Sequence, residues 1–319
     1  MRRTVALLAA LCSSAALAQS YPSKPVRVYL PQPPGAGVDI ILRKAHEDIQ
    51  QRLGQPLIVE NRAGGNSVVA TEACAKAAPD GYTICVLNSD PLVAAQYLFA
   101  KLPFNAEKDF RPITNLYYIL NGLFVKAAVP VANIKEFEAY ARANPGKLNQ
   151  AILGPRSSQD MSRLWLSERW NTKFEGIPYP GGPQVFNALA AGDADWTLQG
   201  AYGGLALLKS NKVKLLAVTG SKRLAAFPEV PTFIELGMPD LPSGKSWWGL
   251  LAPAALATPI VTRLNTEYVR TFREPKFVEF LAELVTEPNV GSPEEFAALM
   301  RSDRERNQRL VKQFNWQAE

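Results

Sequence analysis

A single histidine stands among 319 residues, and that scarcity removes several chemistries at once. One histidine cannot build an HExxH metal site, and no G-x-S-x-G nucleophile elbow occurs. The lone His46 falls in the middle of a helical pattern and reads as an exposed or half-exposed position. Neighbouring acids such as Glu47 and Asp48 diverge around a helix instead of facing one another. Past the N-terminus no run approaches the roughly 18 apolar residues of a spanning helix. No stretch carries the dense Lys/Arg clustering of a nucleic-acid face, and no repeat or low-complexity tract is present. These absences do not exclude an enzyme, because catalytic groups converge in space, but they leave no positive case for one.

What is present begins with a leader. Arg2 and Arg3 precede an apolar stretch from Val5 to Leu17, and Ala16-Leu17-Ala18 places small residues around a cleavage point. Residues 1–18 therefore read as a secretory signal peptide cut after Ala18. Cys12 does not make it a lipoprotein signal, since bulky Leu11 stands before it. Losing Arg2 and Arg3 and no acid lowers the net charge from +6 to +4, a weak positive balance that suits steering of a small anion. Cys74 and Cys85 remain and lack metal-ligand spacing. In an oxidising compartment they either form a bridge or stay as two buried thiols.

Strand and helix patterns alternate: strands at 25–30, 56–61 and 81–87 with helices at 39–53 and 67–78. A second series runs from about residue 122, with helices at 134–145, 158–170 and 183–192 and strands at 149–153, 174–179, 195–199 and 214–220. The chain returns through WWGLLAP into helical segments at 259–273, 275–284 and 293–313, the last reading as a solvated face laced with i,i+4 pairs. The Pro-rich stretch 227–244 reads as a long connection between domains. This alternation implies α/β domains around mostly parallel sheets, with a cleft at the carboxyl ends of the strands. The loops facing it are 31–39, 88–91, 154–160 and 180–183.

The stretch VYLPQPPGAGVDIIL (28–42) joins a strand, a glycine loop and a helix start, the usual cradle for an anion. It is a poor dinucleotide site: Ile40 replaces the third glycine, two prolines remove amide donors, and Asp39 puts an acid where pyrophosphate would lie. Gly244-Lys245-Ser246 is no P-loop either, because Pro239 stands where its first glycine belongs. What survives is non-catalytic anion binding by backbone amides after Pro34, with Asp39 capping the helix and pairing with Arg43. The loop LGPRSSQD (153–160) repeats the device. Ser157 and Ser158 either cap the second helix or donate to an anion, and Arg156 either grips a carboxylate or lies in solvent.

YPSKPVRV (21–28), LGQPLIVENRAGG (53–65), AKAAPDGYT (75–83), LPFNAEKDFRPIT (102–114), ANPGKLN (143–149), PEVPTFIELG (228–237) and SWWGLLAP (246–253) together resemble the tripartite tricarboxylate transporter receptors, or Bug solute-binding proteins. The likeness implies a periplasmic-binding-protein fold, type II-like, with domain 1 formed by 19–121 plus 245–319 and domain 2 by 122–244. It implies a monomeric periplasmic protein without cofactor that closes on a small organic carboxylate and serves membrane-embedded transporter subunits. Carried over by position, Gln32, Gly35, Ala36, Gly37, Val38 and Asp39 form one binding loop, and Gly154, Arg156, Ser157, Ser158 and Asp160 the other. Asn88, Ser89, Gly181, Gly182 and the strand start at Asp195 should line the cleft. The chain departs from the family at Gln32 for an aromatic, Ala36 for glycine, Val38 for a hydroxyl residue, Arg156 for glycine and Asp160 for histidine, so altered contacts are expected. Tyr117, Tyr118, Trp196, Tyr202 and Trp247 either face the cleft, which would suit an aromatic acid, or pack in the cores. The other classes to weigh are a secreted enzyme acting on a carboxylate and a sensor that signals to a membrane partner.

Overall fold

The computed structural model of the chain describes residues 21–220, 222–224, 226–242, 246–313 and 315–316. The expected leader 1–18 and its cleavage point lie outside these residues, as do Gly244 and Lys245 of the discarded P-loop. No helix among the described residues is long and apolar enough to cross a membrane.

The first half opens with β1 (Val26–Leu30), α1 (Gly37–Leu53), β2 (Leu57–Asn61), α2 (Val68–Ala75) and β3 (Thr83–Asn88). α1 buries Val38, Ile41, Leu42, Ala45, Ile49 and Leu53 at helical spacing, which lays one face on the sheet. Gly54 ends it in the left-handed conformation, φ 72°, where glycine carries no Cβ penalty. Two short helices, α3 (Ser89–Val93) and α4 (Ala95–Leu98), lead into the long strand β4 (Phe110–Ile119). The second half contains β5 (Asn121–Lys126), α5 (Ile134–Ala143), β6 (Asn149–Ile152), α6 (Ser158–Arg169), β7 (Glu175–Pro178), α7 (Gly182–Ala191), β8 (Trp196–Gly200), α8 (Ala201–Lys209) and β9 (Val213–Val218). The chain then returns through β10 (Ser246–Pro253), α9 (Thr258–Arg273), α10 (Pro275–Glu283), β11 (Thr286–Pro288) and α11 (Pro293–Gln313).

These strands form two sheets, one of six strands in the order β11-β4-β10-β3-β1-β2 and one of five in the order β7-β6-β8-β5-β9. Each sheet carries its own buried apolar clusters. The sheets are mixed, which corrects the expectation of mostly parallel pairing. β1 pairs parallel with β2 and β3, and β6 with β7 and β8. The strands that carry the chain between the halves, β4, β5 and β10, run antiparallel to their neighbours. A chain that crosses from one sheet to the other and back must enter each from its opposite end, and local alternation cannot show this.

Other expectations change for physical reasons. β4 has no counterpart in the sequence reading because Pro112 and Asn115 interrupt its alternation, and its ladder with β10 contains two register shifts. The segment 227–244 is more than a connector. Val218 bridges Thr232, and Phe233, Met238 and Leu241 enter the core of the five-stranded half. α11 is not solvated all round, since Phe296, Met300, Asp303, Asn307 and Leu310 form a buried stripe. The Asp303 carboxylate there accepts the Trp247 indole N–H at 2.8 Å. His46 is also buried, with Nε2 2.9 Å from the Tyr268 hydroxyl, because α9 covers that face of α1. Cys74 and Cys85 are joined in a disulfide between α2 and β3.

Candidate functional site

A cavity of about 430 Å³ lies between the two sheets. Its walls come from the carboxyl ends of β1, β3 and β8, from β4 and β10, and from the starts of α1, α6 and α7. That is the edge where helix N-termini gather in open α/β sheets.

The first loop is held from behind by Asp39. Gly35, at φ 81°, turns its amide back to donate to Asp39 Oδ2 at 3.0 Å. Arg43 Nε donates to both carboxylate oxygens at 3.0 Å, and Asn61 Nδ2 donates to Oδ1 at 3.0 Å and to the Gln32 carbonyl at 2.8 Å. Burial alone would raise the Asp39 pKa, but these hydrogen bonds and the Arg43 charge hold it below the ordinary carboxylate value. Asp39 therefore pairs with Arg43 as expected, yet it braces the loop instead of capping its own helix, whose N-cap Ala36 has no side-chain partner. Among the described residues no protein acceptor meets the amides of Gly37 and Val38. Both residues line the cavity, at the positive end of a 17-residue helix.

The second loop repeats the brace. The Arg156 amide donates to Asp160 Oδ2 at 2.8 Å, Arg163 Nε donates to Oδ1 at 2.8 Å, and Ser157 Oγ accepts the Asp160 amide at 3.2 Å. Ser157 is thus the helix cap. The Ser158 amide is already engaged, donating to Asp90 Oδ2 across the cleft at 3.1 Å.

Beyond the loops the lining is mainly apolar, with Ile41, Ile119, Phe186, Leu207 and Trp248. Asn88, Tyr117, Gln159 and Gln199 add buried polar atoms that meet no protein partner. Buried polar groups are normally paired, so these four unmet atoms stand out among the residues beside the cavity. Burial alone holds the Tyr117 hydroxyl far above its usual pKa, so it stays protonated. Among the described residues no His/Cys/Asp/Glu cluster suits a metal ion.

A family model described as "Tripartite tricarboxylate transporter family receptor" matches residues 41–316. The chain belongs to this family. It is 32% identical over 322 residues to the "UPF0065 protein in tcbD-tcbE intergenic region" of Pseudomonas sp. (strain P51), covering 99% of this chain and 95% of that protein. Among solved structures, periplasmic binding protein BugD matches with a TM-score of 0.86 at 26% identity, covering 94% of this chain and 100% of BugD. MatC (Rpa3494) of Rhodopseudomonas palustris, described with bound malate, matches with a TM-score of 0.83 at 29% identity, covering 91% of this chain and 100% of MatC. The architecture is accordingly the two-domain fold of periplasmic binding proteins.

Within this receptor fold the cavity brings together Gln32, Gly35, Ala36, Gly37, Val38, Asn88, Ser89, Ser158 and Gly182. Asp39, Ser157 and Asp160 stand behind the lining as braces and cap, and Gly154 and Gly181 belong to the loop backbones just outside it. Arg156 does not reach the cavity. It is held at φ 62°, and its guanidinium lies over the Phe99 ring of the other half, 5.8 Å from the centroid. Asp195 is a correction: it sits at the amino end of β8, ion-paired to Lys126 at 2.6 Å and accepting the Asn149 amide at 2.7 Å. The cavity opens at the other end of that strand, at Gln199 and Gly200. Of the aromatics, Tyr117 and Tyr202 line the cavity, whereas Trp196 and Trp247 are core residues and Tyr118 packs against the core. Sequence reasoning placed the loops 88–91 and 154–160 at the cleft but singled out neither Asp90 nor Gln159 within them, and it missed Gln199. Both carried a signal, Asp90 directly after Asn88-Ser89 at a strand end and Gln159 inside the second glycine loop.

Proposed function

We propose that this chain is an exported solute-binding receptor that captures a small organic carboxylate, aliphatic or aromatic, and delivers it to the membrane-embedded subunits of a tripartite tricarboxylate-type transporter. The observation that carries this reading is the pair of amides, Gly37 and Val38, that meet no protein acceptor among the described residues and belong to a braced loop lining the cavity between the two halves. A carboxylate placed there would satisfy both donors and meet the positive end of α1. The malate described with the neighbour MatC supports the same ligand class.

In this reading the leader is removed on export and the mature protein acts as a periplasmic monomer. Residues 19–121 plus 245–319 move against 122–244, and closure around the acid excludes water. The crossings that would flex are tied side by side: the Asn121 amide donates to Thr219 Oγ1 and the Thr219 amide to the Asn121 carbonyl, each at 2.8 Å. The ligand leaves unchanged, as a receptor requires and an enzyme acting on it would not allow.

The test is thermal unfolding of the purified protein against aliphatic and aromatic carboxylates, with neutral compounds and nucleotides as controls. A carboxylate at a hundredfold its Kd should add about 2.7 kcal/mol and be recovered intact. Stabilisation by the controls alone would overturn the reading.

A further inference from the structure

One wall of the cavity belongs to neither binding loop. Leu284, Val285 and Thr286, the turn between α10 and β11, come from the six-stranded half and line it. The turn is anchored on its own side. Leu284 is buried in the core of that half, the Thr286 hydroxyl donates to the Leu281 carbonyl at 2.9 Å, and Thr286 pairs with Ile119 in the ladder of β11 with β4. Val285 leaves that core and packs against the apolar cluster of the five-stranded half, which holds Phe124 and Phe186. Its amide closes α10 by donating to the Ala282 carbonyl at 3.0 Å, and its φ is 53°. Glycine or asparagine is the usual residue in that left-handed position after a helix, and a β-branched residue is an outlier there. Glycine would make the same backbone hydrogen bond, so the isopropyl group serves only the contacts it makes across the cleft. The cluster it meets is stiff. Phe186 lines the cavity and meets Phe124 edge-on at 5.3 Å between centroids. A Cβ at Gly203 would come within 2.3 Å of the Phe186 ring, and one at Gly204 within 2.3 Å of the Phe124 ring, so α8 and these rings pack without slack.

Resting on the carboxylate-receptor reading, we propose that Val285 gauges the body of the ligand, setting how far an acid held at the start of α1 extends toward the turn between α10 and β11. A body that fits leaves Val285 seated on the five-stranded half. A longer one must push it off that cluster, and neither the anchored turn nor the packed rings yield without loss. A shorter one leaves apolar wall uncovered, and affinity falls about fourfold for each methylene not buried. Val285 thus selects by length and bulk, independently of the contacts that hold the acid group.

The experiment is isothermal titration of the purified protein with straight-chain monoacids from butanoate to decanoate, diacids from succinate to sebacate, and benzoates carrying para-alkyl groups from methyl to butyl. In whichever series binds, wild-type affinity should rise with length to a maximum and fall beyond it. Val285→Gly removes the isopropyl group at a φ that glycine adopts freely, and it should move the maximum about two methylenes longer. Val285→Ile keeps the branched backbone preference and adds a methylene, so the maximum should move about one methylene shorter and the best wild-type acid should bind about fourfold more weakly. The isoleucine variant decides alone if the glycine variant shows no folding transition. A change in the preferred length separates a gauge from a structural role, since lost stability weakens every acid alike. Wild-type affinity still rising at the longest acid, or a maximum unmoved in the folded variants, would overturn the gauge while leaving the carboxylate receptor intact. A wild-type protein that binds no member of any series would overturn the receptor reading, and the gauge with it.

Discussion

Asp39 shows how one side chain behind a binding loop governs it. It gathers the Gly35 amide, Arg43 and Asn61, so Asp39→Ala leaves the Gly35 amide without its acceptor and Arg43 without its carboxylate partner. The expected cost is about 1–3 kcal/mol in urea unfolding, with weaker carboxylate binding because the amides of Gly37 and Val38 lose their fixed direction. His46 acts at the same scale in a different currency. Burial first, and the Arg43 charge second, lower its pKa from 6.5 to about 3. The unfolded chain therefore takes up the proton first. Stability is full above about pH 6.5 and falls by about 1.4 kcal/mol per unit as pH drops below that. Asp90, raised by burial, contributes with the opposite sign. Comparing wild type with His46→Gln between pH 7 and 5.5 isolates the histidine, since the chain has no other; equal slopes would refute the assignment.

At the scale of elements, α11 and β10 lock through a glycine. A Cβ at Gly249 would come within 2.1 Å of the Phe296 ring, which also meets Trp247 edge-on at 5.0 Å between centroids. Phe296→Ala should cost about 3–5 kcal/mol, because the ring leaves a cavity that neighbouring strands cannot collapse into. Chemical denaturation with an unchanged slope would report this as stability lost from the native state. The disulfide ties α2 to β3 with eleven residues of separation. Replacing both cysteines by alanine should remove roughly 3 kcal/mol through the freed unfolded chain, and a thermal midpoint unmoved by reductant would count against it.

At the scale of the whole molecule, the cavity exists because the chain crosses between its sheets and returns. If Asn121 and Thr219 form the flexing crossing, saturating carboxylate should reduce the radius of gyration measured by X-ray scattering. Superimposable curves with and without ligand would show that capture involves no closure. Three contacts join the two halves across the cleft: Asp90 with Ser158, Arg156 over Phe99, and Met161 against Ala94 and Leu98.

Much of this was legible in the residues themselves. Periodicity marked α1, and Gly35 to Val38 marked the turn and helix start ahead of it, because helix starts and positive-φ turns are local events that few residues specify. The alternation of elements likewise implied two α/β halves with a cleft. Other features depended on contacts distant in sequence. β4 is a strand because β10 pairs with it despite Pro112, and His46 is buried because α9 lies over it. Asp195 misses the cleft because β8 presents its other end. Asp90 is the clearest case: its neighbours in the chain show a polar residue after a strand, and only the approach of the other half brings it to the Ser158 amide. Backbone geometry acts over a few residues, whereas burial and cross-cleft hydrogen bonds are set by which surfaces the folded chain brings together.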